Sequence, residues 1–513
     1  MARMSWLVRR VLAVLVPVTV GAIGLGALPA VAGPLSSVSG VSVSISPPSA
    51  AAGALTTYVV HFSTSASGAL SGNAGGAITV KLPPGTGLAA LADSPVTVGG
   101  NQVGDCFVQA TTVVSCDIEG GDKVAASTAV TVTLFGVTNP ATAKAYTLTV
   151  STTADTTAVT SPSYTVTGAK GVSSPSVAIS PPSAAAGALT TYSLGFVTSS
   201  TGGLSGDSGS AITVELPPGT GLAALADSPV TVAGNQVGDC SMQAATVVTC
   251  GVEFGDTIAP STAVTVTLSG VTNPATAKAY TLAVSTTSDT TAVTSPSYTV
   301  TAATKIKAVS VKPGSTLTGA KNVTYTVQFT TATGLAGDSG SSITMRLPSG
   351  TGLAALGDSP VTVAGNHVGD CSARTGTVVS CGIIPGDTIA AGATVVASLT
   401  GVTNPKATQA YKLTASTSSD VKASSSSYCI AASGVPCIAK LAPASGPAGT
   451  TVTITGINLA GATAVDFNGT AAAISADRAT KITTTVPTGA TSGSVTVMTP
   501  GGTATSPSPF TVT

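Results

Sequence analysis

The stretch AITVKLPPGTGLAALADSPVTV, residues 77–98, decides the fold. Ile78, Val80 and Leu82 alternate with Thr79 and Lys81, the two-residue period of a strand with one face buried. The Pro-Pro-Gly-Thr-Gly run that follows is turn chemistry, and PVTV at 95–98 begins another extended segment. The same stretch returns as AITVELPPGTGLAALADSPVTV at 211–232 and, more drifted, as SITMRLPSGTGLAALGDSPVTV at 342–363. GVTNPATAKAYTL at 136–148 and 270–282 likewise returns as GVTNPKATQAYKL at 401–413. Spacings of 134 and 131 residues make each unit a whole domain rather than one turn of a solenoid.

Outward from this stretch, each copy reads as seven or eight short strands separated by Gly, Pro, Ser and Asp clusters, with no helical stripe. In TAVTVTLFG, Val130, Val132 and Leu134 point one way, and Thr131, Thr133 and Phe135 the other. The charge at the end of the first strand reverses from Lys81 to Glu215 to Arg346, as expected of a solvated face. Phe135 becomes Ser269 and Thr400, which assigns that position to the outer face as well. The expected fold is all-β, a tandem array of immunoglobulin-like β-sandwiches. The nine tyrosines fall three to a copy, and Tyr146, Tyr280 and Tyr411 each open a strand after a Pro-containing turn. That placement predicts tyrosine corners, whose hydroxyls bond back to upstream backbone.

Residues 441–513 depart from the repeat. Pro443, Ser445, Gly446, Pro447 and Gly449 precede a Val-Thr-Ile strand, followed by Gly456 and Leu459. Val465 and Phe467 alternate up to Asn468-Gly469, and Val486-Pro487 precedes the strand Val495–Val497. This pattern resembles the IPT/TIG family of immunoglobulin-like domains. The resemblance implies a compact sandwich, used outside bacterial cells as a spacer or interaction module and bringing no catalytic residues. The domain plan is a leader at 1–32, repeats at 33–168, 174–302 and 307–428, and the IPT/TIG-like domain at 438–513.

The leader places a basic start, Arg3, Arg9 and Arg10, before a long apolar run that ends in Ala30-Val31-Ala32. These are the parts of a secretory signal peptide, with Sec and twin-arginine export both open. Lys plus Arg and Asp plus Glu number 20 each, so removing the leader leaves 17 basic against 20 acidic residues. Such a mature chain has no positive field for nucleic acid or anionic lipid. The mature portion has no second apolar stretch long enough for a membrane span. The product is expected outside the cell, with retention at the cell wall and oligomeric state both open.

In an exported chain the eight cysteines read as disulfides. Cys106 with Cys116, Cys240 with Cys250, and Cys371 with Cys381 are each ten apart, one pair per copy and spaced for a hairpin. Cys429 and Cys437 lie where copy three ends, so their bond is expected to stiffen that junction, while linkers near 167–175 and 301–308 stay mobile. No C-x-x-C or His partner suggests zinc, and Asp105, Asp239 and Asp370 beside the first Cys disfavour a reactive thiolate.

Side-chain chemistry is otherwise scarce. His61 and His367 each stand in a single copy, at places where the other copies have Gly195 and Gln328, or Gln102 and Gln236. GTGLAA at 85–90, 219–224 and 350–355 lacks the lysine and the strand-to-helix setting of a phosphate loop. Asp93, Asp227 and Asp358, Asp122, Asp256 and Asp387, and Asp207 and Asp338 are single acids on loops. They read as turn and cap residues rather than as a Ca²⁺ cage. The only Trp, Trp6, is in the leader, and Phe107, Phe135 and Phe254 alone look free of core duty. No catalytic, metal or cofactor residues are assigned. The expected function is a non-enzymatic extracellular spacer or adhesive module, its ligand an extracellular protein. The alternative is a polysaccharide- or cell-wall-binding accessory protein.

Overall fold

The structure, a computed structural model, describes residues 36–513 apart from 47–48, 181–182 and 223–224. The leader at 1–32 and its cleavage site therefore lie outside the described residues. Copy one contains β1 (Ser39–Ser46), β2 (Leu55–Ser63), β3 (Leu70–Ser71), β4 (Ala77–Lys81), β5 (Pro95–Val98), β6 (Asn101–Ala110) and β7 (Val113–Ile118). β8 (Lys123–Val124), β9 (Ala129–Thr138), β10 (Lys144–Tyr146), β11 (Thr149–Thr152), β12 (Val159–Thr160) and β13 (Tyr164–Val166) complete it. Nine of these strands form one antiparallel sheet in the order β1-β2-β9-β5-β6-β7-β4-β11-β12. β3 with β8, and β10 with β13, make two-stranded ribbons. The end strands of the large sheet, β1 and β12, approach each other, so the two layers of this immunoglobulin-like sandwich are one curled sheet.

The alternation read from the sequence sets which face is buried. Ile78, Val80, Val130, Val132 and Leu134 are all at most 1% exposed and share one core with Tyr58 and Phe62. Lys81, Glu215 and Arg346 are all exposed. Copies two and three repeat the nine-strand order. In copy three the last ribbon fuses with the sheet edge to give two longer strands, Gln409–Thr417 and Ser424–Ile430. The strand count exceeds seven or eight because pairs such as β3 with β8 are two residues long, too short to show a period.

Phe135 lies on the face of β9 opposite the buried Val130, Val132 and Leu134, as read, but that face is covered. The Phe135 position is not a solvated face: Phe135 is half-buried and Ser269 is 9% exposed. The loop before β5 folds over it, with the Ala92 amide bonded to the Phe135 carbonyl and the Ala226 amide to that of Ser269. Gly136 makes this possible. Its φ of +73° carries the register shift between β2 and β9, and a Cβ there would strike the Ala90 carbonyl oxygen.

Residues 437–512 build two four-stranded sheets. One runs Cys437–Ala442, Thr451–Ile457, Lys481–Thr485, Ile474–Arg478, and the other Thr470–Ala472, Ala464–Phe467, Val495–Thr499, Gly502–Thr505. Val452, Ile454, Leu459, Val465, Phe467, Ile482, Val495 and Val497 fill the space between them, with Phe467 and Phe510 in an edge-on contact at 5.1 Å. Asn468 and Gly469, at φ 47° and 85°, form the tight turn between two of these strands.

The linkers also differ from expectation. Residues 173–180 already form the first strand of copy two, and the copies bond directly to each other. The Leu55 amide donates to the Thr287 carbonyl at 2.7 Å and the Leu189 amide to the Ser418 carbonyl at 2.8 Å. No disulfide crosses these linkers, but contacts between residues more than 200 apart in sequence join the copies.

Candidate adhesive surface

All eight cysteines are paired. β6 and β7 place Cys106 directly opposite Cys116, and the equivalent strands do the same for Cys240 with Cys250 and Cys371 with Cys381. Cys116, Cys250 and Cys381 are fully buried, so each bond ties a projecting hairpin to the core. Cys429 and Cys437 are joined across the last junction and form, with Ala431 and Ala439, a small buried cluster of their own.

Among the described residues, the stapled hairpins carry three of the six exposed large apolar side chains, the others being Phe254, Leu317 and Met498. Phe107 is 48% and Val108 45% exposed on β6, and Met242 is 55% exposed at the matching place in copy two. Phe254, on the turn after the next strand, is 89% exposed. In copy three these positions are Ser372, Ala373 and Pro385. These hairpins thus expose apolar side chains in copies one and two but not in copy three, and in copy one they lie beside the disulfide. Phe107 faces Ser115 across the ladder and stands two residues from Asp105, giving an aromatic ring flanked by hydroxyl and carboxylate. Between copies two and three lies an apolar cleft of about 560 Å³, lined by Ile179, Ala184, Leu335, Ala336 and Ile389, with no ionisable residue.

The carboxylates do not converge. Among the described residues no three His, Cys, Asp or Glu side chains are placed to hold a metal ion. Asp93, Asp227 and Asp358 are exposed before β5 and its equivalents. Asp207 and Asp338 accept the amides of Gly255 and Gly386, as Asn73 accepts that of Gly121, so they clamp a turn. Asp122, Asp256 and Asp387 take part in the same turn through their backbone carbonyls. GTGLAA is a turn in which Thr86 donates to the Pro83 carbonyl.

His61 is exposed, its Nδ1 2.9 Å from the Thr131 hydroxyl. His367 pairs with Asp370 at 2.9 Å on the surface, replacing the contacts of Gln102 with Asp105 and of Gln236 with Asp239. The hydrogen bond to Asp370 raises the His367 imidazole above its ordinary value.

The tyrosines are structural. Tyr146, Tyr280 and Tyr411 donate to the carbonyls of Thr142, Thr276 and Ala407, four residues upstream. Tyr58 donates to Asn139 at 2.8 Å, and Asn139 donates to the carbonyls of Ser49 and Ala51. Burial, with Tyr146 adding to it, pushes the Tyr164 hydroxyl up to about 12, and burial with Tyr411 nearby brings Tyr325 to about 12 as well.

Two sets of buried polar residues escaped the sequence reading. Asn139, Asn273 and Asn404 form the link just described. Asp155, Asp289 and Asp420 are fully buried in the loop after β11 and its equivalents, accepting the amides of Ser65, Ser199 and Ala332. Their recurrence at the repeat spacing was the available signal.

The C-terminal geometry, two short sheets around Phe467 and Phe510, agrees with a family comparison. Residues 436–513 match the IPT/TIG domain. No curated protein matches the chain. Solved structures similar to it include the C-terminal domain of the antigen I/II polypeptide BspA of Streptococcus agalactiae. That match has 12% identity and a TM-score of 0.22, over 51% of this chain and 99% of that one. Invasin, a bacterial integrin-binding protein, matches at 10% identity and a TM-score of 0.21, over 92% of this chain and 79% of that one. The collagen adhesin of S. aureus matches at 13% and 0.16, over 51% and 93%. At these scores the likenesses carry no functional argument. Among the described residues no helix is long and apolar enough to cross a membrane.

Proposed function

We propose that this is a non-enzymatic secreted or cell-surface-associated protein, an extracellular spacer that presents adhesive contacts. Its units are the repeats at 33–168, 174–302 and 307–428 and the IPT/TIG domain, exported by the leader at 1–32. The observation that carries the reading is the set of exposed apolar side chains on disulfide-tied hairpins, foremost Phe107 and Val108. Solvent-facing apolar groups on a rigid support bind a partner without first having to be ordered. The second reading, a polysaccharide- or cell-wall-binding accessory protein, draws on the Phe107 ring with Asp105 and Ser115 beside it. Sugar C–H faces stack on aromatic rings, and their hydroxyls bond carboxylates.

The test is binding of the purified mature chain to immobilised extracellular proteins and to a glycan array. Phe107→Ser with Val108→Ala, the residues of copy three, is expected to weaken protein binding about tenfold or more. Sugar-specific binding lost in the same variant selects the second reading. Turnover of a polymeric substrate, abolished by one Asp→Ala change, refutes both.

A further inference from the structure

We infer that the faces between copies are matched docking surfaces of the chain for itself, specified by a serine–threonine hydroxyl pair whose serine the equivalent face of copy one lacks. The inference does not depend on what the array adheres to. Thr57 of copy one and Ser208 of copy two place their hydroxyl oxygens 2.8 Å apart, 151 residues apart in sequence. Thr191 and Ser339 repeat this contact at 2.8 Å between copies two and three. Ser208 is 1% and Ser339 4% exposed, so these hydroxyls have little access to water. Each serine ends a one-turn 3₁₀ helix, Gly206–Ser208 or Gly337–Ser339, seated against the preceding copy. The backbone bonds from Leu55 to Thr287 and from Leu189 to Ser418 close the same two junctions.

The outer faces lack the pair. In copy one the position of Ser208 is Ala74, which is exposed. In copy three the equivalent of Thr57 is Thr324, exposed, and the segment before it carries one extra residue. Ala320-Lys321-Asn322-Val323-Thr324 stands where copy one has Ala54-Leu55-Thr56-Thr57. Lys321 and Asn322 are exposed, and Leu317, in the place of Ala51, is 50% exposed. The IPT/TIG domain instead packs its strand Cys437–Ala442 against Gln409–Thr417 and Ser424–Ile430. Serine therefore occurs in the copies that have a preceding repeat to bond, and alanine in the one that has none. A hydroxyl buried without its partner is unfavourable, so a docked pair lacking one hydroxyl is disfavoured. In a chain whose first two copies are nearly identical, this difference sets the copy-one face apart from the equivalent faces of copies two and three, while at the other end Thr324 keeps its hydroxyl and the extra residue before it alters the face.

Amide hydrogen exchange on the full mature chain tests this. The Leu55 amide bonds out of its own copy, so it is protected only while copies one and two are docked, and Leu189 reports the second junction in the same way. Ser208→Ala is expected to speed Leu55 exchange about tenfold, leaving Leu189 and the copy-two core amides unchanged. Ser339→Ala reverses the pattern, and Thr57→Val added to Ser208→Ala restores part of the protection. Folding is not at issue, because alanine is the native residue at this position in copy one. Ala74→Ser and Thr324→Val leave both reporters unchanged. The inference is overturned if Leu55 exchanges no faster in Ser208→Ala, or if every amide of copy two accelerates with it.

Discussion

The buried Tyr58–Asn139 link offers a graded test of what holds each repeat together. Tyr58 is fully buried and Asn139 is 1% exposed. The Asn139 side chain uses its oxygen for the Tyr58 hydroxyl and its nitrogen for the carbonyls of Ser49 and Ala51. Tyr58→Phe keeps the ring and its edge-on contact with Tyr164 at 5.5 Å, but removes one donor. One buried acceptor is then left unpaired, costing about 1–3 kcal/mol. Asn139→Ala removes three bonds and leaves the Tyr58 hydroxyl and two carbonyls without that partner. At a similar value per group its cost is about 3–9 kcal/mol, a large share of the ~5–15 kcal/mol that stabilises a domain. Copies two and three keep their own links, Tyr192 with Asn273 and Tyr325 with Asn404, and serve as internal references. In calorimetry, Tyr58→Phe should lower one of the unfolding transitions modestly, and Asn139→Ala should split that transition from the others. Equal losses for the two variants would refute the reasoning, because the asparagine would then count only as the tyrosine's acceptor.

The raised tyrosines predict alkaline unfolding. Tyr164 and Tyr325 ionise near 12 in the folded chain and near 10 unfolded, so their stabilisation is fully present below pH 10. It is lost as pH rises from 10 toward 12. Phenolate absorbance should rise together with loss of circular dichroism across that window, and a fully folded chain with all tyrosines ionised would contradict it. At the last junction, Cys429→Ala with Cys437→Ala should broaden the distribution of shapes in small-angle scattering while copy three and the IPT/TIG domain stay folded. An unchanged scattering curve would show that the packed strands alone set the angle.

What was legible in the sequence was whatever has a period. The alternation of Ile78, Val80 and Leu82 and the charge reversal through Lys81, Glu215 and Arg346 assign the faces of β4 without reference to any distant residue. Tyr146 reads correctly because its partner, Thr142, is four residues away. Asp155 does not, because an acid in a Ser/Thr-rich loop has the composition of a surface turn. Its burial depends on the Ser65 amide, 90 residues upstream. The cover over Phe135 is hidden for a related reason: the loop that supplies it comes from before β5, and alternation within β9 carries no information about that loop.

The same limit explains the junctions, and there it also points to a remedy. Ala74, Ser208 and Ser339 look like drift within a repeat, since each is small and sits in the same turn. They separate only when each copy is compared with its neighbour rather than with its equivalents, because the partner of Ser208 is Thr57 and not a residue of its own copy. In a tandem array, then, a difference between near-identical copies is informative when it tracks position in the chain. By that measure the change from Phe107 and Val108 in copy one to Ser372 and Ala373 in copy three singles out this hairpin, and not the array as a whole, as a surface that differs with position, because Leu317 and Met498 are exposed further along the chain.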